Sequence, residues 1–368
     1  MTARQPNYWE YIRVEELLSL QRGLAQDEGE LTRDEVLFIT VHQIYELWFK
    51  LMLGELGALR DLFAQNVVAE QALSDAVRGL KRITTILHRC VDHFQVMETL
   101  TTRDYLGFRD KLMPASGFQS AQLRQIEILL GLDDKERIPL GFEGSYLKAL
   151  EAHDGSPSPA LERVRKQITA GPPLAHAVDD WLFRTPICGC TWDDACAQEA
   201  LETFIADYVR AQHAEVDASA EIARTRALTA EDVERLNARY AAEKQALLDF
   251  LHPGEDEGGA RRQRIRAATL FLLTYRELPL LAWPREVLDA IIEMEQVFVI
   301  FRQRHARMVE RVIGRRTGTG GSAGVDYLDK TATTYRIFRD LWAARTYQIR
   351  ASATPPLSNA AFYDFRNG

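Results

Sequence analysis

An all-α fold is predicted by three observations. Long runs carry apolar residues at three- and four-residue steps, β-branched alternation is weak, and residue pairs that turn a β-hairpin are rare. The clearest run is 34–63. Along it Phe38, His42, Tyr45, Phe49, Met52, Leu56, Leu59 and Phe63 share one face. Leu37, Val41, Ile44, Trp48 and Leu51 form a second stripe about 100° away on a helical wheel. The first half of this helix is therefore widely apolar and is expected to be largely buried. Glu55 breaks the second stripe, and Glu35, Glu46 and Lys50 take the remaining face.

Further helices are expected over 71–100, 118–130, 194–223, 229–251, 260–276 and 285–314. Pro284 suits the first turn of the last of these, and Gly314 closes it. Residues 132–180 hold Gly155, Pro157, Pro159 and Gly171-Pro172-Pro173, which predicts an irregular, peripheral insertion. The acidic, glycine-rich stretch 253–259 reads as a solvated loop. Residues 1–350 form one helical domain in this reading. Residues 351–368, with Pro355-Pro356, read as a loosely ordered tail.

Composition narrows the function. The chain has 368 residues, 46% of them hydrophobic, and a net charge of −8. Lysines and arginines do not gather into a basic block, which argues against nucleic-acid binding. There is no run of eighteen apolar residues and no apolar leader, so neither a membrane span nor export is expected, and the default location is the cytoplasm. Cys90, Cys188, Cys190 and Cys196 are too few for a disulfide scaffold and do not match a paired zinc motif, so they read as reduced structural thiols. No CxxCH haem-attachment motif occurs.

Two histidines stand out because each sits on an apolar helix stripe. His42 lies between Phe38, Tyr45 and Phe49. His305 shares its stripe with Ile291, Met294, Phe298, Phe301, Met308 and Val312. A haem needs such a setting, a flat apolar slot with one neutral imidazole aimed at the iron. A hydrogen-bonded core histidine would give the same pattern. Tyr105, Phe108, Arg109 and Leu112 share a helical face that Thr102 is placed to cap. An arginine there either pairs with a protein carboxylate such as Asp110 or Glu98, or receives a ligand carboxylate. The glycine-rich stretch 315–324 follows a helix rather than a strand, so it is no dinucleotide site. It is either a surface turn or a mobile loop whose amides and Thr319 hydroxyl close over a ligand.

Taken together, 8–15, 34–50, Gly107-Phe-Arg-Asp110, 114–120 and Gly318-Thr-Gly-Gly-Ser322 resemble the tryptophan 2,3-dioxygenases, with weaker similarity over most of 8–350. The longer middle region and 327–349 look more like the animal members. The resemblance implies an all-α, bundle-type homotetramer with one haem b per subunit. His305 would be the proximal ligand, and His42 would hydrogen-bond the indole N–H, orienting it more than acting as a strong base. Phe38, Phe108 and Leu112 would line the indole pocket beside Tyr105. Arg109 would bind the substrate carboxylate and Thr319 the head group, with Ser116 near the haem and ammonium. Tyr8 and Tyr11 would enter a neighbouring subunit's pocket. The substrates would be L-tryptophan and dioxygen, and the product N-formylkynurenine. Glu15 and Ala323 depart from the usual Asp and Ser without removing a contact. The alternative is a paralogue that oxygenates a modified tryptophan or a tyrosine.

Overall fold

Two short helices, α1 (Tyr8–Ile12) and α2 (Val14–Leu18), precede the long apolar run, which folds as α3 (Arg33–Phe63). The computed structural model describes residues 5, 7–24, 26–113, 115, 117–139, 146–152, 154–254, 257–318 and 324–364. Thr32 caps α3 by accepting a hydrogen bond from the Glu35 amide. α4 (Glu70–Met97) buries a stripe that runs from Leu73 to Met97. α5 (Thr102–Phe108) is capped by Thr101, one residue before the expected Thr102, and passes into a 3-10 turn over Arg109–Leu112. α6 (Ala121–Leu130) opens at Ser120 and ends at Gly131, whose φ of 119° is readily adopted only by glycine.

α7 (Pro159–Ile168) and α8 (Leu174–Arg184) follow. α9 (Ala197–Arg224) and α10 (Ala230–Leu251) pair along their lengths, with Thr229 and Asp232 forming a capping box at the turn. α11 (Glu257–Thr274) leads to α12 (Ala282–Ile313), then α13 (Val325–Thr334) and α14 (Arg339–Thr346). Among the described residues the only β feature is an isolated bridge between Ile187 and Cys190.

The core lies where α12 packs on α4 and α4 packs on α3. Leu56, Ile83, Leu87 and Ile291 are almost fully buried there. Each such side chain contributes about 1.5–3 kcal/mol by leaving water. Glu295 of α12 is buried but satisfied. Its carboxylate accepts from the Ile337 amide (2.6 Å), the Phe338 amide (3.3 Å) and the Trp342 indole N–H (2.6 Å), which ties α14 to α12.

Several expectations need correction. The second stripe of α3 is only partly covered: Val41 is buried, but Leu51 is 53% exposed and the adjacent Leu47 49%. α3 is also long and apolar enough, by length and composition alone, to cross a membrane, although no unbroken apolar run signals it. Residues 132–180 are not simply irregular, because α7 packs on α6, and α8 packs on α3 and α11. Leu174, Ala177, Val178 and Leu182 bury the inner face of α8, and the prolines before it only set its start. The tail is held as far as residue 364. Tyr363 is buried, donates to the Pro186 carbonyl (2.9 Å) and accepts from the Gly189 amide (2.8 Å).

The cysteine reading also changes. Cys190 and Cys196 form a disulfide, with Cα atoms 5.9 Å apart. Reciprocal backbone hydrogen bonds between Ile187 and Cys190 close a tight turn through Cys188 and Gly189, both at positive φ. That turn returns Cys190 toward the start of α9, where Cys196 sits. Cys90 and Cys188 are free.

Candidate active site

α3 and α12 each deliver one histidine to the same cavity, of about 570 Å³. His42 and His305 both line it, together with Phe38, Tyr105, Leu112, Phe301, Met308 and Val312. The size suits a small ligand or cofactor, and the wall is mainly apolar.

The tautomer of His42 follows from its partner. Its Nδ1 lies 2.8 Å from the Phe38 carbonyl, one turn back on α3. A carbonyl only accepts, so Nδ1 carries the proton and Nε2 is left as a bare acceptor. The Phe38 ring packs 4.1 Å from the imidazole, centroid to centroid. Desolvation within the cavity, to which the ring stays open, pushes the His42 pKa down, partly countered by the Phe38 carbonyl and by Glu46. The ring is thus neutral near pH 7, with its acceptor nitrogen unengaged by Phe38.

His305 is set differently. Its ring stacks on Phe94 of α4, with centroids 5.5 Å apart and planes 10° from parallel, and also contacts Phe301. Burial, helped by His42, Arg302 and Arg124, pushes its pKa down to about 4. A neutral imidazole keeps a nitrogen lone pair for a metal. Among the described residues no three His, Cys, Asp or Glu side chains gather as a metal site. A metal here would need its other donors from a cofactor.

The remaining predicted residues divide. Phe38, Tyr105 and Leu112 line the cavity. Phe108 does not; it is buried and backs Phe38 edge-on at 5.6 Å. Arg109 is outside the lining as well. Its Nη2 donates to the Thr317 carbonyl at 2.6 Å, next to Gly318 of the cavity wall, while its Nε is buried without a partner. The suggested pairing of Arg109 with Asp110 or Glu98 does not form; Glu98 instead holds Arg304. Burial pushes the Tyr105 hydroxyl pKa up, and nearby Arg109 draws it partly back. Tyr8 and Tyr11 do not reach the cavity of their own chain and are 72% and 79% exposed. Ser116 and Thr319 lie outside the described residues.

Sequence reasoning missed part of the wall. Glu46, one turn after His42, faces the cavity and accepts from Ser120 (2.6 Å) and Gln122 (2.7 Å). Arg124 of α6, Arg302 of α12, and Tyr327 and Thr331 of α13 line it too. The signal available was Arg302 one turn before His305 on an apolar stripe.

The family model described as tryptophan 2,3-dioxygenase matches residues 2–348. A tryptophan 2,3-dioxygenase of Sorangium cellulosum is 56% identical over 98% of this chain and 87% of its own length. Tryptophan 2,3-dioxygenase 2 of Ralstonia nicotianae is 50% identical over 98% of this chain and 97% of its own. The enzyme of that name from Anopheles gambiae is 33% identical, covering 96% and 88%. Bacterial relatives therefore span the middle region as fully as the insect one, and its length is not an animal feature. With a family match over nearly all its residues and full-length relatives at half identity or more, the chain belongs to the tryptophan 2,3-dioxygenase family.

Proposed function

We propose that the chain opens the indole ring of L-tryptophan with dioxygen to give N-formylkynurenine, using a haem b held by His305. The observation that carries this reading is the pair of imidazoles, His42 and His305, on one mainly apolar cavity, in a chain whose relatives are named tryptophan 2,3-dioxygenase. The donor set fits haem. A porphyrin brings four nitrogens of its own and asks the chain for one imidazole, and among the described residues no cluster of three protein donors competes for the metal. Haem, when bound, supplies the iron that binds dioxygen, and both oxygen atoms enter across the indole C2–C3 bond.

The protein's own residues orient and enclose the substrate. His42 Nε2 accepts the indole N–H, because Nδ1 is already committed to the Phe38 carbonyl. Indole N–H is too weak an acid for His42 to remove its proton outright, so the contact sets position. Phe38 and Leu112 face the ring and Phe108 supports Phe38. Tyr105 adds a hydroxyl at the wall. Arg109 binds the substrate carboxylate with the part of its fork that Thr317 does not use. Thr319 and Ser116 hold the head group in this reading.

The chain acts as a homotetramer in the cytoplasm. Tyr8 and Tyr11 of one subunit complete the site of another, supported by their exposure and by a neighbouring surface groove lined by Ile12, Leu17, Leu20 and Leu47. The test is to reduce the purified protein, supply dioxygen and L-tryptophan, and weigh the product. Addition of two oxygen atoms is expected. Addition of one, or turnover of tyrosine instead, would move the chain to the paralogous chemistry.

A further inference from the structure

Glu127 of α6 is fully buried, and three guanidinium groups converge on it. Arg124 and Arg137 each reach it at 2.7 Å, and Arg302 of α12 at 2.8 Å. Arg137 also meets Asp134 at 3.0 Å. Within this cluster three positive charges face two negative ones; Glu46, a carboxylate on the same cavity wall, is held by Ser120 and Gln122 and pairs with none of the three arginines. Leaving a guanidinium charge buried without an anion is costly.

The surplus is directional. Arg124 and Arg302 line the cavity with His305, and Arg137 does not. Arg124 Nε is buried and has no hydrogen-bond partner, and the same holds for Arg137 Nη2, so it is the cavity lining by Arg124 and Arg302 that gives the direction. Arg302 lies over the rings of Phe298 (4.5 Å) and Tyr335 (4.9 Å), which fix its plane. It precedes His305 by one helical turn, so the cationic edge sits beside the imidazole. Arg109, the arginine assigned to the amino acid, is tied to Thr317 and takes no part in this cluster.

We propose that Arg124 and Arg302 form a carboxylate-binding edge of the cavity that takes the propionate side chains of the haem. The proposal rests on the haem reading above. Guanidinium groups suit carboxylates because their paired N–H donors match both oxygens. Glu127 then acts as the buried anchor that holds both arginines in place before the cofactor arrives.

The test varies the ligand first, which leaves folding untouched. Full-length chain produced without a haem supply is titrated with haemin and with haemin dimethyl ester, whose carboxylates are masked. Haemin is expected to bind about ten- to a hundredfold more tightly. Arg124→Gln and Arg302→Gln should lose most of that preference. Arg137→Gln, which disturbs the same Glu127 without touching the cavity, should keep it. Equal binding of haemin and its ester, or an equal loss in Arg137→Gln, overturns the proposal and leaves the haem reading standing. A preserved preference with weakened L-tryptophan binding in the Arg124 and Arg302 variants also overturns it, by assigning the edge to the amino acid. Failure of both porphyrins to give a histidine-ligated spectrum overturns the haem reading itself.

Discussion

Phe94 lies flat against His305, with ring centroids 5.5 Å apart and planes within 10° of parallel. The two residues come from α4 and α12, the most closely packed helices of the core. The orientation of the imidazole is therefore set by core packing.

His305→Ala should purify without haem, whereas His42→Ala should retain haem and lose turnover by about tenfold or more. Phe94→Ala should weaken haem retention while leaving His305 in place. Absorption spectra of the purified proteins and steady-state rates separate the three. A normal haem spectrum in His305→Ala would refute the ligand assignment.

Arg109→Lys keeps the charge but removes the planar fork. KM for L-tryptophan should rise about ten- to a hundredfold with a smaller change in kcat. Binding of tryptamine, which lacks the carboxylate, should change little. An unchanged KM would mean that Arg109 serves only to hold Thr317.

Asp179, which does not line the cavity, gives a separate pH signature. Burial first, and then Asp340, raise its pKa to about 6. The folded chain therefore holds this proton more tightly than the unfolded chain, whose carboxyl titrates near about 4. Stability from this group is present below about pH 4 and is lost as pH rises through 6. Asp179→Asn should flatten that window and stabilise the protein at pH 7 by on the order of 1–2 kcal/mol. Tm measured from pH 4 to 8 checks it. A variant less stable at pH 7 would contradict the sign.

The Cys190–Cys196 disulfide closes a short loop. Reduction should cost about 2 kcal/mol at most, because a short loop removes little chain entropy from the unfolded state. Tm with and without a thiol reductant is the measurement. A Cys190→Ser variant should match the reduced protein and show no response to reductant.

Helix identity was legible where the pattern is local. α3 and α12 announce themselves by periodicity, and both histidines fall on their apolar stripes. α7 and α8 were obscured because prolines and glycines around short helices look like loop punctuation. The order of the tail is not legible in the local sequence, because Tyr363 is held by Phe271 and by the Cys188–Gly189 turn, which are distant in the chain.

The amino-acid order by itself determined the helical class, the family and the apolar helix stripes that carry His42 and His305, since periodicity and motif spacing are properties of neighbouring residues. Only the tertiary structure decided that His42 and His305 share one cavity, that Arg109 holds the Thr317 carbonyl rather than Asp110 or Glu98, and that Arg124 and Arg302 meet over Glu127. Arg302 and Glu127 stand 175 positions apart in the chain, and it is the packing of distant helices that brings them together.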